Sequence, residues 1–272
     1  MTEILVRAEG LQKVFGKDMV AVDDVSFTVA RGQSLAVVGE SGSGKTTVAR
    51  MLLGLETPTG GTISVCGRVR RGRAGSAERR RRAREIQIVF QDPYSSLDPL
   101  QHIGDVIETG LALHFPLTAT ERRTRALELL EAVGLTERHA VMLPRQLSGG
   151  QRQRVAIARA IAVEPKVLVL DEAVAALDVS IQAQILNLLA DIRERTGISY
   201  VFISHDLAVV NQISDTAIVM AAGRVIERGP TAELLRAPQE DYTKALLAAV
   251  PRPGWKPRRR TPSPSGSPAG TP

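Results

Sequence analysis

Residues 34–55 read SLAVVGESGSGKTTVARMLLGL, and the changes of pattern inside this stretch decide the fold. SLAVV is an apolar run with no polar face, as a strand buried on both sides of a parallel sheet should be. A glycine-rich segment interrupts it, and VARMLLGL then takes helical spacing. Across the junction, Gly39-Glu40-Ser41-Gly42-Ser43-Gly44-Lys45-Thr46 fits G-x-x-x-x-G-K-[ST] without a mismatch, in the strand-to-helix setting that the pattern requires. Its glycines let successive backbone N–H groups converge on one point, and the following helix adds the positive end of its dipole. Such a cradle takes phosphate groups. Lys45 is expected to reach the β- and γ-phosphates as a point charge, and the Thr46 hydroxyl to help hold Mg²⁺, with Thr47 next to it in the same cradle.

Before this stretch, Ile4 to Val29 alternates in short segments, VRAEGLQKVF and VDDVSFTVA, that predict antiparallel strands with one buried face. EIQIVFQDP reads as a strand closed by a proline. Helical spacing runs from about Pro99 to Arg138, clearest where Leu127, Leu130 and Val133 recur at three-residue steps beside Leu129. This predicts a helical insertion at about 92–147. The alternation then resumes with a helix over 150–163, the strand KVLVLDE, the helix IQAQILNLLADIRERTG, the strand SYVFISHD and a hairpin, TAIVMAAGRVIERG. Alternating strands and helices imply a mainly parallel sheet. After Val250 the chain reads PRPGWKPRRRTPSPSGSPAGTP, too poor in apolar residues to build a core, which predicts a disordered tail over 251–272.

Composition narrows the classes. With 272 residues and 43% hydrophobic content, one globular domain over 1–250 with an inserted subdomain is expected. No apolar run reaches the length needed to cross a bilayer, and MTEILVRAEG lacks the layout of a signal peptide. The single cysteine, Cys66, excludes an intramolecular disulfide and a cysteine-built metal site, which fits a reducing cytosol. The net charge of +6 is unevenly placed, with arginines crowded into RVRRGRAGSAERRRRAR at 68–84 and KPRRR at 256–260. Basic runs of this kind read first as solvated loops, and with no aromatic residue in the first run, stacking on bases has little support.

Val167-Leu168-Val169-Leu170-Asp171-Glu172 is an apolar strand ending in two acids. Ligands of parallel sheets collect at the carboxyl ends of the strands, so both carboxylates are expected beside the phosphate cradle. Asp171 is the natural partner of Mg²⁺, and Glu172 is placed to orient or deprotonate the attacking water. His205, after SYVFIS, holds the equivalent place on a neighbouring strand, where it would contact the γ-phosphate; His102, His114 and His139 read as structural or solvent-exposed. Gln91, after IQIVF, has the same strand-end position and offers its amide oxygen to Mg²⁺ or water.

Leu147-Ser148-Gly149-Gly150-Gln151-Arg152-Gln153-Arg154 resembles the signature motif of the ABC ATPases, and cradle, Gln91, signature, Asp171-Glu172, Asp178 and His205 follow that family's order. VFQDPYSSLDP, PRQLSGGQRQRVAIARA, ALDVSIQAQILNLL and APQEDYTKALLAAVP look like the branch that imports oligopeptides, dipeptides and nickel. The resemblance covers about residues 4–250. It implies an α/β fold: a P-loop NTPase (RecA-like) core with an antiparallel β subdomain and an inserted helical subdomain. It also implies ATP and Mg²⁺ as ligands and a second ABC ATPase subunit, identical or related, set head to tail. ATP on the Lys45 loop of one subunit is then covered by Ser148, Gly149, Gly150 and Gln151 of the other, glycine permitting the close backbone approach. Phe15 matches the family's adenine-stacking aromatic, with a core phenylalanine as the competing reading, and Asp178 matches a loop that crosses the dimer interface.

By the same resemblance, the helical insert presses on two transmembrane permease subunits at the cytoplasmic face of the cell membrane. A substrate-binding protein takes part indirectly, and no nucleic acid is expected. The alternative is a soluble ABC ATPase that acts on nucleic acid or ribosomes through the arginine run; an exporter motor is a third reading. Ala173 stands where the branch usually has proline and Ala175 where it often has serine, so slower or more mobile chemistry is the most these departures imply.

Overall fold

The computed structural model describes residues 3–70, 72, 74–92 and 96–248. The tail expected over 251–272 lies outside the described residues. Two sheets form the frame. In the first, β1 (Ile4–Phe15) and β2 (Met19–Ala30) pair antiparallel from Ile4↔Ala30 to Phe15↔Met19, and the other edge of β1 takes β4 (Gly60–Val65), on which the short β5 (Arg68–Val69) lies. β4 has no clear signal in the sequence, because a six-residue segment opening on two glycines commits only Ile63 and Val65 to the core.

The second sheet has the order β10-β9-β3-β8-β7-β6. It comprises β3 (Ser34–Val38), β6 (Ile86–Val89), β7 (Val167–Asp171), β8 (Ser199–Ser204), β9 (Thr216–Ala221) and β10 (Arg224–Pro230), with β10 antiparallel and the rest parallel. Every position of β3, β7 and β8 is buried, as their unbroken apolar runs predict. Because side chains alternate along a strand, the sheet feeds two cores. Leu35, Val37, Val169, Val201 and Ile203 face the antiparallel sheet and α1 (Lys45–Leu53). Ala36, Val38, Leu168, Leu170, Tyr200 and Phe202 face the remaining helices.

Those helices begin with α2 (Ser76–Glu85) and the insert, in which α3 (Ile103–His114), α4 (Ala119–Ala132), α5 (Glu137–Ala140) and a 3₁₀ turn (Pro144–Gln146) lie between β6 and α6 (Gly149–Ile161). The continuous helical spacing of 99–138 divides into three helices. Pro116 follows the end of α3, and Gly134, at φ +76°, ends the run after α4. The remainder are α7 (Val179–Thr196), α8 (Leu207–Ile213), α9 (Thr231–Arg236) and α10 (Asp241–Ala248). Among the described residues no helix is long and apolar enough to cross a membrane.

The arginine run corrects the reading as a solvated loop, because residues 76–85 form α2. Glu78 pairs with Arg81 and Arg82 at helical spacing, and Arg70 on the strand side pairs with Glu85 at 2.9 Å, with side chains only 6% and 10% exposed. Acids spaced three and four residues from arginines turn a repulsive run into a helix.

Candidate functional site

β3, β7 and β8 run parallel side by side, so their carboxyl ends open on one edge, and the loop that leaves β3 lies there. Gly39, at φ +156°, and Gly44, at φ +100°, admit no side chain. A Cβ on Gly39 would stand 2.2 Å from Met220 O, and one on Gly44 would stand 2.4 Å from Ala21 O. The loop is therefore wedged against β9 and the antiparallel sheet, and Gly223 N adds a hydrogen bond to Ser43 O at 3.2 Å. Neither Ala21 nor Met220 carries a motif, so this buttress is invisible in the sequence.

A cleft of about 340 Å³ is lined by Ser41, Gly42, Gly44, Lys45, Thr46 and Thr47 from the loop and the start of α1, by Gln91 from beyond β6, by Glu172 from beyond β7, and by Ala21. Lys45 is 5% exposed, and its ammonium donates to the carbonyl oxygens of Gly39 at 2.8 Å and Glu40 at 2.7 Å. Burial pushes the Lys45 pKa below its ordinary value, against the opposing pull of Glu172, Asp171 and Glu40. The Thr46 hydroxyl donates to Asp171 Oδ1 at 3.4 Å. Asp171 is 6% exposed, and burial together with the charge of Glu172 pushes its carboxyl above the usual range, against the Thr46 hydrogen bond, Lys45 and Arg50.

Glu172 leaves β7 with a left-handed backbone, φ +49°, and its N–H donates to Ile203 O at 2.9 Å. Its Oε1 lies 3.3 Å from His205 Nδ1. His205 is brought to the acid and is not part of the cleft lining. Gly39, Glu40 and Ser43 of the same loop are not among the lining residues, and Ser43 Oγ is buried without a hydrogen-bond partner among the described residues. Phe15 ends β1 half-buried, belongs to neither core, and stacks under Lys13 Nζ at 4.7 Å from the ring centre.

Ser148, Gly149, Gly150 and Gln151 do not line this cleft. Ser148 caps α6: its Oγ accepts from Gln151 N at 3.3 Å, and Gln151 Oε1 accepts from Ser148 N at 2.9 Å. Glycine at 150 also has a reason within the chain, since a Cβ there would stand 2.6 Å from Ile181 Cγ2 on α7. Gly149, exposed, has only ordinary contact with Leu177 at 3.7 Å. Asp178 caps α7 without a side-chain hydrogen bond to it and is exposed. Ala173 is 2% exposed and lies in the helical core, whereas Ala175 faces solvent. Of the other histidines, His139 is buried and accepts from Thr136 N at 3.0 Å, and His114 stands near Arg84 and Arg80.

The profile of the ABC transporter family matches residues 22–175, and the chain belongs to that family, as one of its ATP-hydrolysing cassettes. The dipeptide transport ATP-binding protein DppF of Haemophilus influenzae is 47% identical over 257 residues, 91% of this chain and 78% of that one. The oligopeptide transport ATP-binding protein OppF of Bacillus subtilis is 44% identical, over 93% of this chain and 84% of its own length. Among solved structures, the ATP-binding cassette MJ0796, dimeric in a post-hydrolysis state with ADP and Pi, superposes with a TM-score of 0.76 at 31% identity, covering 84% of this chain and 99% of that one. CbiO1 of Clostridium perfringens, part of the ABC transporter complex cbiONQ, gives 0.76 at 29% identity over 87% of this chain and 97% of its own.

Proposed function

We propose that this chain is the ATP-hydrolysing subunit of an importer for peptides or a similarly small solute, working against two membrane permease subunits and beside a second ATPase subunit. One observation carries the catalytic half: Glu172 stands on the wall of the same cleft as Lys45, Thr46 and Gln91, with His205 3.3 Å behind it. The importer half rests on relatives named for dipeptide and oligopeptide transport across nearly the whole chain.

In this reading the amides of 39–47 hold the triphosphate, and Lys45 adds a charge that its burial keeps from water. Glu172 orients or deprotonates the attacking water, and His205, hydrogen-bonded to it, senses the γ-phosphate. Phe15 stacks on the adenine. Thr46, Gln91 and Asp171 present hydroxyl, amide and carboxylate oxygens of the hard type that Mg²⁺ takes, and the ion, when bound, neutralises charge on the β- and γ-phosphates. Among the described residues no cluster of three or more His, Cys, Asp or Glu could hold a metal. The proposed ion would accordingly have one carboxylate, that of Asp171, beside the neutral oxygens of Thr46 and Gln91 and the substrate phosphates.

Ser148, Gly149, Gly150 and Gln151 lie outside the cleft at the start of α6, with Ser148 and Gly149 exposed and Gly150 and Gln151 half-buried. They are free to close the cleft of a second subunit, with Asp178 at the same interface. The nucleic-acid alternative loses its main support, because Arg70, Arg81 and Arg82 of the arginine run are held in ion pairs; the relatives' names speak for import over export. Disruption of this chain in its host is the test: uptake of a labelled dipeptide should stop and return with the intact chain, but not with Lys45→Ala. Uptake unchanged in the disrupted strain, with the membrane subunits still present, removes the importer assignment.

A further inference from the structure

The Gly39–Glu40 peptide is gripped at both ends. Its carbonyl oxygen, on Gly39, accepts from Lys45 Nζ at 2.8 Å, while its N–H, on Glu40, donates to the hydroxyl of Tyr242 at 3.3 Å. A trans peptide points its C=O and N–H in opposite directions, and among the described residues no peptide bond is cis. Fixing the N–H therefore fixes where the carbonyl aims. Tyr242 lies far along the chain, in α10, outside every motif of the nucleotide site. Its own place is set by β10: Glu227 accepts from the backbone N–H groups of Gln239 at 2.8 Å and Glu240 at 3.3 Å, just ahead of α10. Tyr242, Leu246 and Leu247 then pack on the helical core.

We propose that Tyr242 is a positioning residue for nucleotide binding, which orients the Gly39–Glu40 peptide and through it the Lys45 ammonium, and that Glu227 sets Tyr242 in place by anchoring the start of α10. This rests on the reading of residues 39–47 as the triphosphate cradle. The C-terminal helix is thereby part of the nucleotide site, and any partner that pulls on α10 would change affinity for ATP. Tyr242→Phe keeps the ring and removes only the hydroxyl.

Steady-state hydrolysis by the full chain with Mg-ATP, alongside direct titration with Mg-ATP, tests the idea. Loss of one hydrogen bond of this type is expected to raise KM roughly three- to tenfold while kcat stays within about twofold. Glu227→Ala, which leaves the tyrosine in place chemically, should raise KM similarly, and the double variant should be no worse than the weaker single one. If Tyr242→Phe costs stability, Glu227→Ala carries the same test. Wild-type KM in Tyr242→Phe overturns the proposal, as does a fall in kcat at constant KM. Additive losses in the double variant detach Glu227 from it. Failure of the wild-type chain to bind Mg-ATP would sink the cradle reading itself.

Discussion

At φ +49°, Glu172 occupies a backbone region that costs a non-glycine residue about 1–3 kcal/mol. The surrounding fold imposes it: the N–H is tied to Ile203 O at the end of β8, and Ala173 and Val174 are buried immediately after it. The side chain is thereby turned to the cleft wall. Glu172→Gln keeps this geometry but cannot take a proton, and kcat is expected to fall by about 10²–10⁴ with Mg-ATP binding retained; phosphate release over time measures it. Asp171 shows the opposite economy of function and stability. Burial and Glu172 raise its pKa in the folded state, so the folded chain holds the proton more tightly than the unfolded one. That contribution is present below the unfolded value and is lost as pH rises through the folded value, above which the ionised carboxylate is disfavoured by its burial. Asp171→Asn should therefore raise Tm by a few degrees at neutral pH while abolishing hydrolysis, and the Tm gain should vanish in acid. A lower Tm at neutral pH would show that the Thr46 hydrogen bond and Lys45 outweigh burial.

At the scale of elements, two contacts set the frame around the site. α6 reaches α7 through the missing side chain of Gly150, where a Cβ would stand 2.6 Å from Ile181 Cγ2. Gly150→Ala should destabilise the isolated chain by about 1–3 kcal/mol, as overpacking does, and Ile181→Ala in the same chain should recover much of the loss. Urea denaturation of both variants is the measurement, and it needs no nucleotide and no second subunit. The other contact is the Arg70–Glu85 pair that ties α2 to the antiparallel sheet. Removing one partner strands a buried charge, so Glu85→Ala is expected to cost about 3–5 kcal/mol, whereas Arg80→Ala, on the exposed face of the same helix, should stay within about 0.5 kcal/mol.

For the whole molecule, the proposed function turns on the separation of the Lys45 cleft from the start of α6. Lys45, Thr46, Gln91 and Glu172 meet in one cleft, while Ser148 and Gly149 lie exposed away from it. In the proposed function ATP would then join two subunits, and its hydrolysis would remove the differential contacts that favour the closed pair. Glu172→Gln with Mg-ATP is expected to sediment as a dimer, with this chain alone or with its ATPase partner. Adding Ser148→Arg to the same chain should return it to monomer at equal ATP. A Glu172→Gln, Ser148→Arg chain that still dimerises would place the interface elsewhere.

Local form, and the residue types that point to phosphate chemistry, are legible in consecutive residues. The G-x-x-x-x-G-K-[ST] pattern, the apolar runs of β3, β7 and β8 and the acids after β7 are local signals, because a strand buried on both faces and a glycine loop write their requirements into consecutive residues. Four features exist only in the folded chain: Gly39 and Gly44 are shaped by Met220 and Ala21, Gly150 packs on Ile181, the arginine run forms a helix held by Glu78, Glu85 and Arg70, and Tyr242 grips the loop that follows β3. Most of these join residues distant in the chain, and a contact made by folding leaves no period in either segment that makes it.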